Sequence, residues 1–186
     1  MTFIDKLHPS HITHKLWLVV FGQPACFVWN DEKTPMFYHP YNATWSNERR
    51  VEIPIVMKFL DGVKQADILE VGNVLPHYFP SSHAVVDFFE KGDNVVNVDI
   101  ETFVPAKRFK AVVSISTLEH VGVDSLLDEG KAIRVLNLLA RYGDNVLCTW
   151  LLGYNKNLDA YALRSSCATK LVVDKKRSII VWQHNT

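Results

Sequence analysis

An α/β fold with a mostly parallel sheet is predicted by three features of the sequence. Four short apolar runs between residues 68 and 115 are each bounded by polar or turn-forming residues. Such runs are typical of strands that are buried on both faces of a parallel sheet. Lys131–Arg141 has the spacing of an amphipathic helix, and two apolar runs flank the polar turn 174–177 near the end of the chain. That last pattern predicts a terminal antiparallel hairpin.

The elements of this core follow one another along residues 67–186. Five strands are predicted at Ile68–Val71, Ala84–Phe88, Val95–Val98, Ala111–Ile115 and Asn145–Trp150. The predicted helix buries Ile133, Leu136, Leu139 and Ala140, and Gly143 stands at the position of a helix-terminating glycine. The hairpin strands are Leu171–Val173 and Ile179–Trp182. Together these elements predict a Rossmann-like, mostly parallel twisted sheet that ends in an antiparallel β-hairpin.

The first 62 residues have a different pattern. Three apolar and aromatic runs predict a small β-meander: Leu16–Phe21, Cys26–Trp29 and Met36–Tyr38. Residues 46–62 have helical spacing, and Pro54 predicts a kink or a division into two short helices. We expect a single domain over 1–186, with a β-rich extension at 1–45, a lid helix at 46–62 and the core at 67–186.

Composition excludes several classes of protein. The formal net charge of the 186 residues is zero, so no overall field would attract nucleic acid. The three cysteines favour a reducing compartment over a disulfide framework. The run Leu16–Phe21 is too short to cross a bilayer and lacks the flanks of a signal peptide. We therefore expect a soluble, cytoplasmic protein with no nucleic-acid or membrane partner.

The N-terminal residues offer two further alternatives. His8, His11 and His14 recur every three residues, a spacing that can bind metal on a helix face. We expect a mobile arm and no metal site, because no Cys, Asp or Glu has a matching spacing nearby. Trp17 and Trp29 are expected to pack on the chain's own sheet, with a homodimer as the alternative.

Candidate binding residues follow the predicted strands. Gly72 allows a sharp turn and a close backbone approach to a ligand, and Glu70 could hold that turn through backbone N–H groups. Asp87 ends the second strand at the spacing of an acid that accepts both hydroxyls of a ribose. Asp99 could accept from an adenine amine while Ile100 packs on the ring. Each also has a purely structural interpretation, as a turn glycine or a turn-capping acid.

The residues after the fourth strand combine a structural and a chemical hypothesis. Ser116 and Glu119 have the spacing of a capping box, in which each side chain satisfies a donor at the start of a helix. That pattern explains Glu119 without chemistry. It does not explain His120, whose imidazole could act as a general base.

These motifs together resemble the class I S-adenosylmethionine-dependent methyltransferases. The resemblance rests on Leu69–Gly72, Asp87, Val98–Ile100 and Ser114–Val121, and it covers roughly residues 45–155 and, by topology, the chain end. The segments 47–49, 51–55 and 72–75 are similar to a small-domain subgroup. One departure is the loop after Gly72, where the family usually has more glycines.

The resemblance implies a role for each matching residue. Glu70 and Gly72 would shape the loop around the methionine part of S-adenosylmethionine, with Asn73 in the same site. Asp87 would take the ribose, Asp99 and Ile100 the adenine, and Ser116 would lie near the sulfonium. We add Arg49 as the cation for the cofactor's carboxylate, because a planar guanidinium suits a carboxylate.

The expected activity is methyl transfer from S-adenosylmethionine to an oxygen or nitrogen of a small molecule. His120 is the candidate base, with His39 or Tyr38 as alternatives. A non-catalytic binding protein that retains the fold is the second hypothesis. A nicotinamide oxidoreductase is the third, and the missing second glycine argues against it because a dinucleotide needs that glycine for its pyrophosphate.

Overall fold

A computed structural model describes residues 25–123 and 128–185 of the chain. The predicted strand Leu16–Phe21 and the histidines at 8, 11 and 14 lie outside these residues. The described residues fall into two units: 25–62 with 74–81, and 63–73 with the residues from 82 onward. The expected boundaries at residues 45, 62 and 67 stay predictions.

The first unit begins with a hairpin of two short strands. Strand β1, Cys26–Trp29, is confirmed, and it pairs antiparallel with β2, Glu32–Pro35. Asn30 and Asp31 form the two-residue turn with φ of 48° and 61°. Asn and Asp tolerate these left-handed angles, which hairpin turns of this kind require. The prediction of a strand at Met36–Tyr38 is therefore wrong, because this tight turn makes Glu32–Pro35 the partner of β1.

Pro54 lies inside one continuous helix, α1, which spans Arg49–Phe59. The expected division into two short helices is wrong. A proline in a helix interior leaves the carbonyl four residues earlier without its intrahelical donor. Here that carbonyl belongs to Arg50, and it accepts the backbone N–H of Phe37 over 2.8 Å. The bond from Phe37 offsets part of the cost of the proline.

The second unit contains a sheet with seven strands in the described residues. This sheet confirms the predicted Rossmann-like architecture. The strands are β3 Ile68–Val71, β4 Ala84–Val86, β5 Val95–Val96, β6 Phe109–Ile115, β7 Gly143–Leu151, β8 Ala168–Val172 and β9 Ser178–Asn185. Their order across the sheet is β5-β4-β3-β6-β7-β9-β8. The first five strands in this order run parallel, whereas β9 is antiparallel to both β7 and β8.

The terminal hairpin is confirmed and is longer than predicted. Strand β9 inserts between β7 and β8, and it pairs with β7 from Asn145 to Leu151. A parallel sheet that is closed by this antiparallel pair is the topology that the resemblance to class I methyltransferases implies.

The helix α2, Lys131–Tyr142, covers one face of the sheet. Its buried residues are Ala132, Val135, Leu136 and Leu139, and they belong to one apolar cluster with Leu69, Val71, Val112 and Val146. Gly143 is not the expected left-handed terminator, because its φ is −126° and it opens β7. A side chain there would approach Val112 to 2.6 Å, so close packing on β6 requires the glycine.

A third helix, α3, spans Lys156–Ala162, and the sequence pattern did not predict it. The side chain of Asn155 caps its start by accepting the N–H of Leu158 over 3.0 Å. None of the described helices combines the length and the apolar character that crossing a bilayer requires.

Candidate active site at the carboxyl ends of the strands

The parallel strands of the second unit bring predicted residues to one edge of the sheet. Because β3, β4, β5 and β6 run in one direction, their carboxyl ends meet there. Ligands of open α/β sheets bind outside this edge. The residues that follow these four strands are Gly72, Asp87, Asp99 and Ser116. Asp87 and Asp99 thus lie beyond neighbouring strands, as the cofactor hypothesis requires.

Gly72 is buried, and its backbone has φ of +90°. Its N–H donates to the carbonyl of Val86 over 2.9 Å. A side chain here would meet Thr117 Oγ1 at 2.0 Å, so the loops after β3 and β6 pack tightly against each other. Both the angle and the packing require glycine, and Thr117 fills the space beside its α-carbon.

Asp87 holds two turns through its carboxylate. Oδ1 accepts the N–H groups of Phe89 and Glu90 over 2.8 and 2.7 Å, and Oδ2 accepts the N–H of Asn73 over 3.0 Å. A carboxylate has about four lone-pair sites. Among the contacts of the described residues, three are used. The fourth site, on Oδ2, is not used by these contacts, and the role of Asp87 toward the ribose hydroxyls stays a prediction.

The turn after Asp87 exposes two aromatic rings that sequence reasoning did not single out. Phe88 and Phe89 are 58% and 69% exposed, and their ring centroids lie 4.8 Å apart at an angle of 87°. The side chain of Asn73 secures the same turn by donating to Glu90 Oε2 over 2.8 Å. The Phe-Phe pair directly after Asp87 is the feature of the sequence that could have indicated these exposed rings.

Asp99 is ionised and paired. Its carboxylate forms a hydrogen-bonded ion pair with Lys131 and accepts the N–H of Glu101 over 3.0 Å. Burial is the largest single influence on the pKa of Asp99 and raises it, but the hydrogen bonds from Lys131 and Glu101 and the charge of Lys131 together lower the pKa below its usual value. Ile100 is 6% exposed and belongs to the core cluster, so little of its surface remains for an adenine ring.

Glu70 is fully buried and forms a pair with a histidine. Its Oε2 lies 2.6 Å from Nε2 of His83, which is 2% exposed. The other ring nitrogen of His83 lies 3.1 Å from Gln65 Oε1, an oxygen that also accepts the N–H of Ser82. Because that amide oxygen can only accept, the Nδ1 of His83 carries a proton. The role of Glu70 in shaping the methionine loop stays a prediction.

The turn after β6 differs from the predicted capping box. Ser116 has φ of +40°, and its N–H donates to the carbonyl of Thr149 over 2.8 Å. The short 3-10 turn Leu118–His120 has no side-chain cap at its start. Glu119 is instead 2% exposed and accepts the N–H of Leu151 over 3.2 Å. The capping-box prediction is therefore wrong, and the left-handed backbone of Ser116 is the reason, since a capping residue is extended.

His120 is exposed beside a second aromatic residue. Its ring centroid lies 4.5 Å from that of Tyr154, with 57° between the planes. Tyr154 follows β7 and is 45% exposed. The imidazole therefore lies at the carboxyl edge of the sheet, and its role as a general base stays a prediction.

The first unit contains the two alternative candidate bases, His39 and Tyr38. His39 Nδ1 accepts the N–H of Tyr41 over 3.1 Å, so the proton of a neutral His39 ring is on Nε2 and that nitrogen cannot accept another. The hydroxyl of Tyr38 lies 3.9 Å from the sulfur of Met36. Their roles as base stay predictions, and this tautomer makes His39 the poorer base.

Arg49, also in the first unit, has a carboxylate near it. Its Nη1 lies 3.6 Å from Oε2 of Glu52, one helical turn further along α1, and the Glu52 side chain is fully buried. The role of Arg49 toward the cofactor's carboxylate stays a prediction.

No protein-family model and no curated protein matches the chain. Among solved structures, the chain is similar to the N-methyltransferase NodS from Bradyrhizobium japonicum WM9 in complex with S-adenosyl-L-homocysteine, with 10% identity, a TM-score of 0.41 and coverage of 62% of this chain and 75% of that one. The DhpI-SAM-HEP complex gives 18% identity, a TM-score of 0.38 and coverage of 78% and 75%. An rRNA methylase from Escherichia coli gives 13%, 0.46, 78% and 67%.

At these identities and TM-scores the likeness concerns the arrangement of the chain alone. The fold itself is defined by the strand order described above: five parallel strands followed by an antiparallel pair with the last strand inserted. The protein has a Rossmann-like α/β fold with a mostly parallel seven-stranded sheet, counted over the described residues.

Proposed function

We propose that this protein is an S-adenosylmethionine-dependent methyltransferase that acts on an oxygen or nitrogen of a small molecule. The proposal rests on the hydrogen bond from the N–H of Asn73 to the carboxylate of Asp87, and on Asp99, which lies beyond the neighbouring strand. This arrangement places two carboxylates at the edge where open α/β sheets bind ligands.

The residues present fit the nucleoside half of the cofactor. Asp87 retains one acceptor site for a ribose hydroxyl, and Asp99 Oδ1 retains one for an adenine amine, counted over the contacts of the described residues. The exposed rings of Phe88 and Phe89 supply apolar surface beside them. A flat heterocycle packs favourably on such rings.

When bound, S-adenosylmethionine supplies a methyl group on a positively charged sulfur, which leaves as a neutral thioether when the methyl is transferred. The chain's own part is to align the acceptor and remove its proton. His120 is the proposed base, because it is exposed at the carboxyl edge. Its neutral ring would take the proton of an acceptor hydroxyl or amine.

Calorimetric titration with S-adenosylhomocysteine tests the proposal. We expect binding to the full chain and a loss of about 1–3 kcal/mol in binding free energy for Asp87→Asn, because a charge-assisted hydrogen bond is lost. Asp93→Asn, in the exposed turn between β4 and β5, is the matched control and should bind like the unchanged protein. No binding at millimolar ligand would refute the proposal.

A turnover assay separates the enzyme from the non-catalytic alternative. The intact protein is incubated with methyl-labelled S-adenosylmethionine and a panel of small phenols, alcohols and amines. Labelled product that disappears in His120→Gln supports methyl transfer with His120 as base. Binding of S-adenosylhomocysteine without any product over the panel would favour a non-catalytic binding protein.

A further inference from the structure

The two rings at the acceptor side, His120 and Tyr154, are carried by turns that buried carboxylates fix. The turn that carries His120 is closed by the N–H of His120 donating to Thr117 O over 3.0 Å. The neighbouring Glu119 accepts the N–H of Leu151 over 3.2 Å. This bond ties the histidine's turn to the end of β7, the strand that leads into Tyr154.

The turn that carries Tyr154 is fixed by a second carboxylate, Asp159. Its Oδ2 accepts the N–H of Gly153 over 2.8 Å, and its Oδ1 accepts the indole N–H of Trp150 over 2.9 Å. Asp159 is only 7% exposed, and Trp150 is fully buried. The carboxylate therefore joins the buried end of β7 to the residue just before Tyr154.

Both neighbours of Tyr154 are thus held in place. Gly153 has φ of +101°, an angle that the hydrogen bond to Asp159 maintains. Asn155, on the other side, caps α3 and is 4% exposed. A residue between two anchored neighbours has little freedom of backbone rotation, so the α-carbon of Tyr154 is held in the place from which its ring contacts His120.

We propose that Tyr154 and Asp159 are positioning residues for His120. Tyr154 packs against one side of the imidazole and restricts its rotation, so that the base keeps one orientation toward the acceptor. Asp159 acts through Gly153 to hold Tyr154 there. This inference rests on the proposed function, in which His120 removes the acceptor's proton.

Proton NMR of the His120 ring in the full chain tests the arrangement directly. The resonance is assigned with His120→Gln. We expect a ring-current shift that is lost in Tyr154→Ala, retained in Tyr154→Phe, which keeps the ring, and reduced in Asp159→Asn. Tyr161→Ala is the matched control, because Tyr161 is a comparably exposed tyrosine on α3 that donates to Asn137.

Equal His120 shifts in Tyr154→Ala and Tyr161→Ala would overturn the proposal, as would an unchanged shift in folded Asp159→Asn. With any acceptor that the panel identifies, Tyr154→Ala should lower kcat by about tenfold to a hundredfold, and Tyr154→Phe should restore it. S-adenosylhomocysteine titration of the same samples is a separate readout. Its failure in the unchanged protein would refute the proposed function whichever way the histidine resonance moves.

Discussion

The backbone N–H of Asn73 donates to Oδ2 of Asp87 over 3.0 Å, and this bond joins the loop after β3 to the turn after β4. Through Oδ1 the same carboxylate accepts the N–H groups of Phe89 and Glu90. One acid therefore organises the edge of the sheet before any ligand arrives. A preorganised acceptor of this kind loses little entropy when it binds a hydroxyl group.

Replacing Gly72 by alanine should destabilise the protein by about 2–5 kcal/mol. The left-handed backbone opposes any side chain, and the added methyl would collide with Thr117. Urea unfolding measures the loss. The matched control is Gly62→Ala, which has φ of +76° but no atom within 4 Å of the added carbon. It should cost only the backbone part, about 1 kcal/mol.

A double variant separates the collision from the strain. Gly72→Ala combined with Thr117→Gly should recover part of the loss, because the side chain that collides is removed. Full additivity of the two single changes would contradict the close packing of these loops.

Replacing His83 by leucine should cost about 3–5 kcal/mol, because it leaves the buried Glu70 carboxylate without its ring partner. The double variant Glu70→Leu with His83→Leu should be more stable than His83→Leu alone, since the second change also removes the buried carboxylate. Thermal and urea unfolding measure both. A single variant that loses less than 1 kcal/mol would show that this pair contributes little.

Alkaline pH should weaken the first unit through Tyr78. Burial raises the pKa of Tyr78 to about 12, above its usual value of 10. The phenol therefore stays neutral in the folded chain at pH values where the unfolded chain already loses the proton. Its contribution to stability is complete below pH 10 and is lost as the pH rises from 10 to 12.

Tyrosinate absorbance and circular dichroism, followed together from pH 9 to 12.5, test this prediction. Tyr78→Phe has no proton to lose at this position, so its stability should fall less over that range. The same pH dependence in Tyr78→Phe and in the unchanged protein would contradict the assignment to Tyr78.

The strand pattern of the core could be predicted because both faces of those strands are buried. Strand β3, Ile68–Val71, has the predicted bounds, and all four of its residues are buried. The apolar pattern predicts the ends of strands less well, because hydrogen bonds decide at which residue a strand stops. Strand β4 stops at Val86 because Asp87 turns its carboxylate back onto the N–H groups that follow.

Other features depend on partners far away in the sequence. The continuity of α1 across Pro54 depends on a donor from Phe37, and the role of Glu119 depends on Leu151. Helix α3 has only seven residues, which is too short for a helical pattern to stand out. The lone pairs that remain on Asp87 likewise follow from three-dimensional contacts and not from residue type.

A crystal structure of the full chain with S-adenosylhomocysteine bound tests directly whether the two carboxylates hold the adenosine. We expect a ribose hydroxyl within hydrogen-bond distance of Asp87 Oδ2, and the adenine beside Asp99 and the two exposed phenylalanine rings. Adenosine bound away from the carboxyl ends of β4 and β5, with Asp87 contacting only the backbone groups described here, would contradict this expectation.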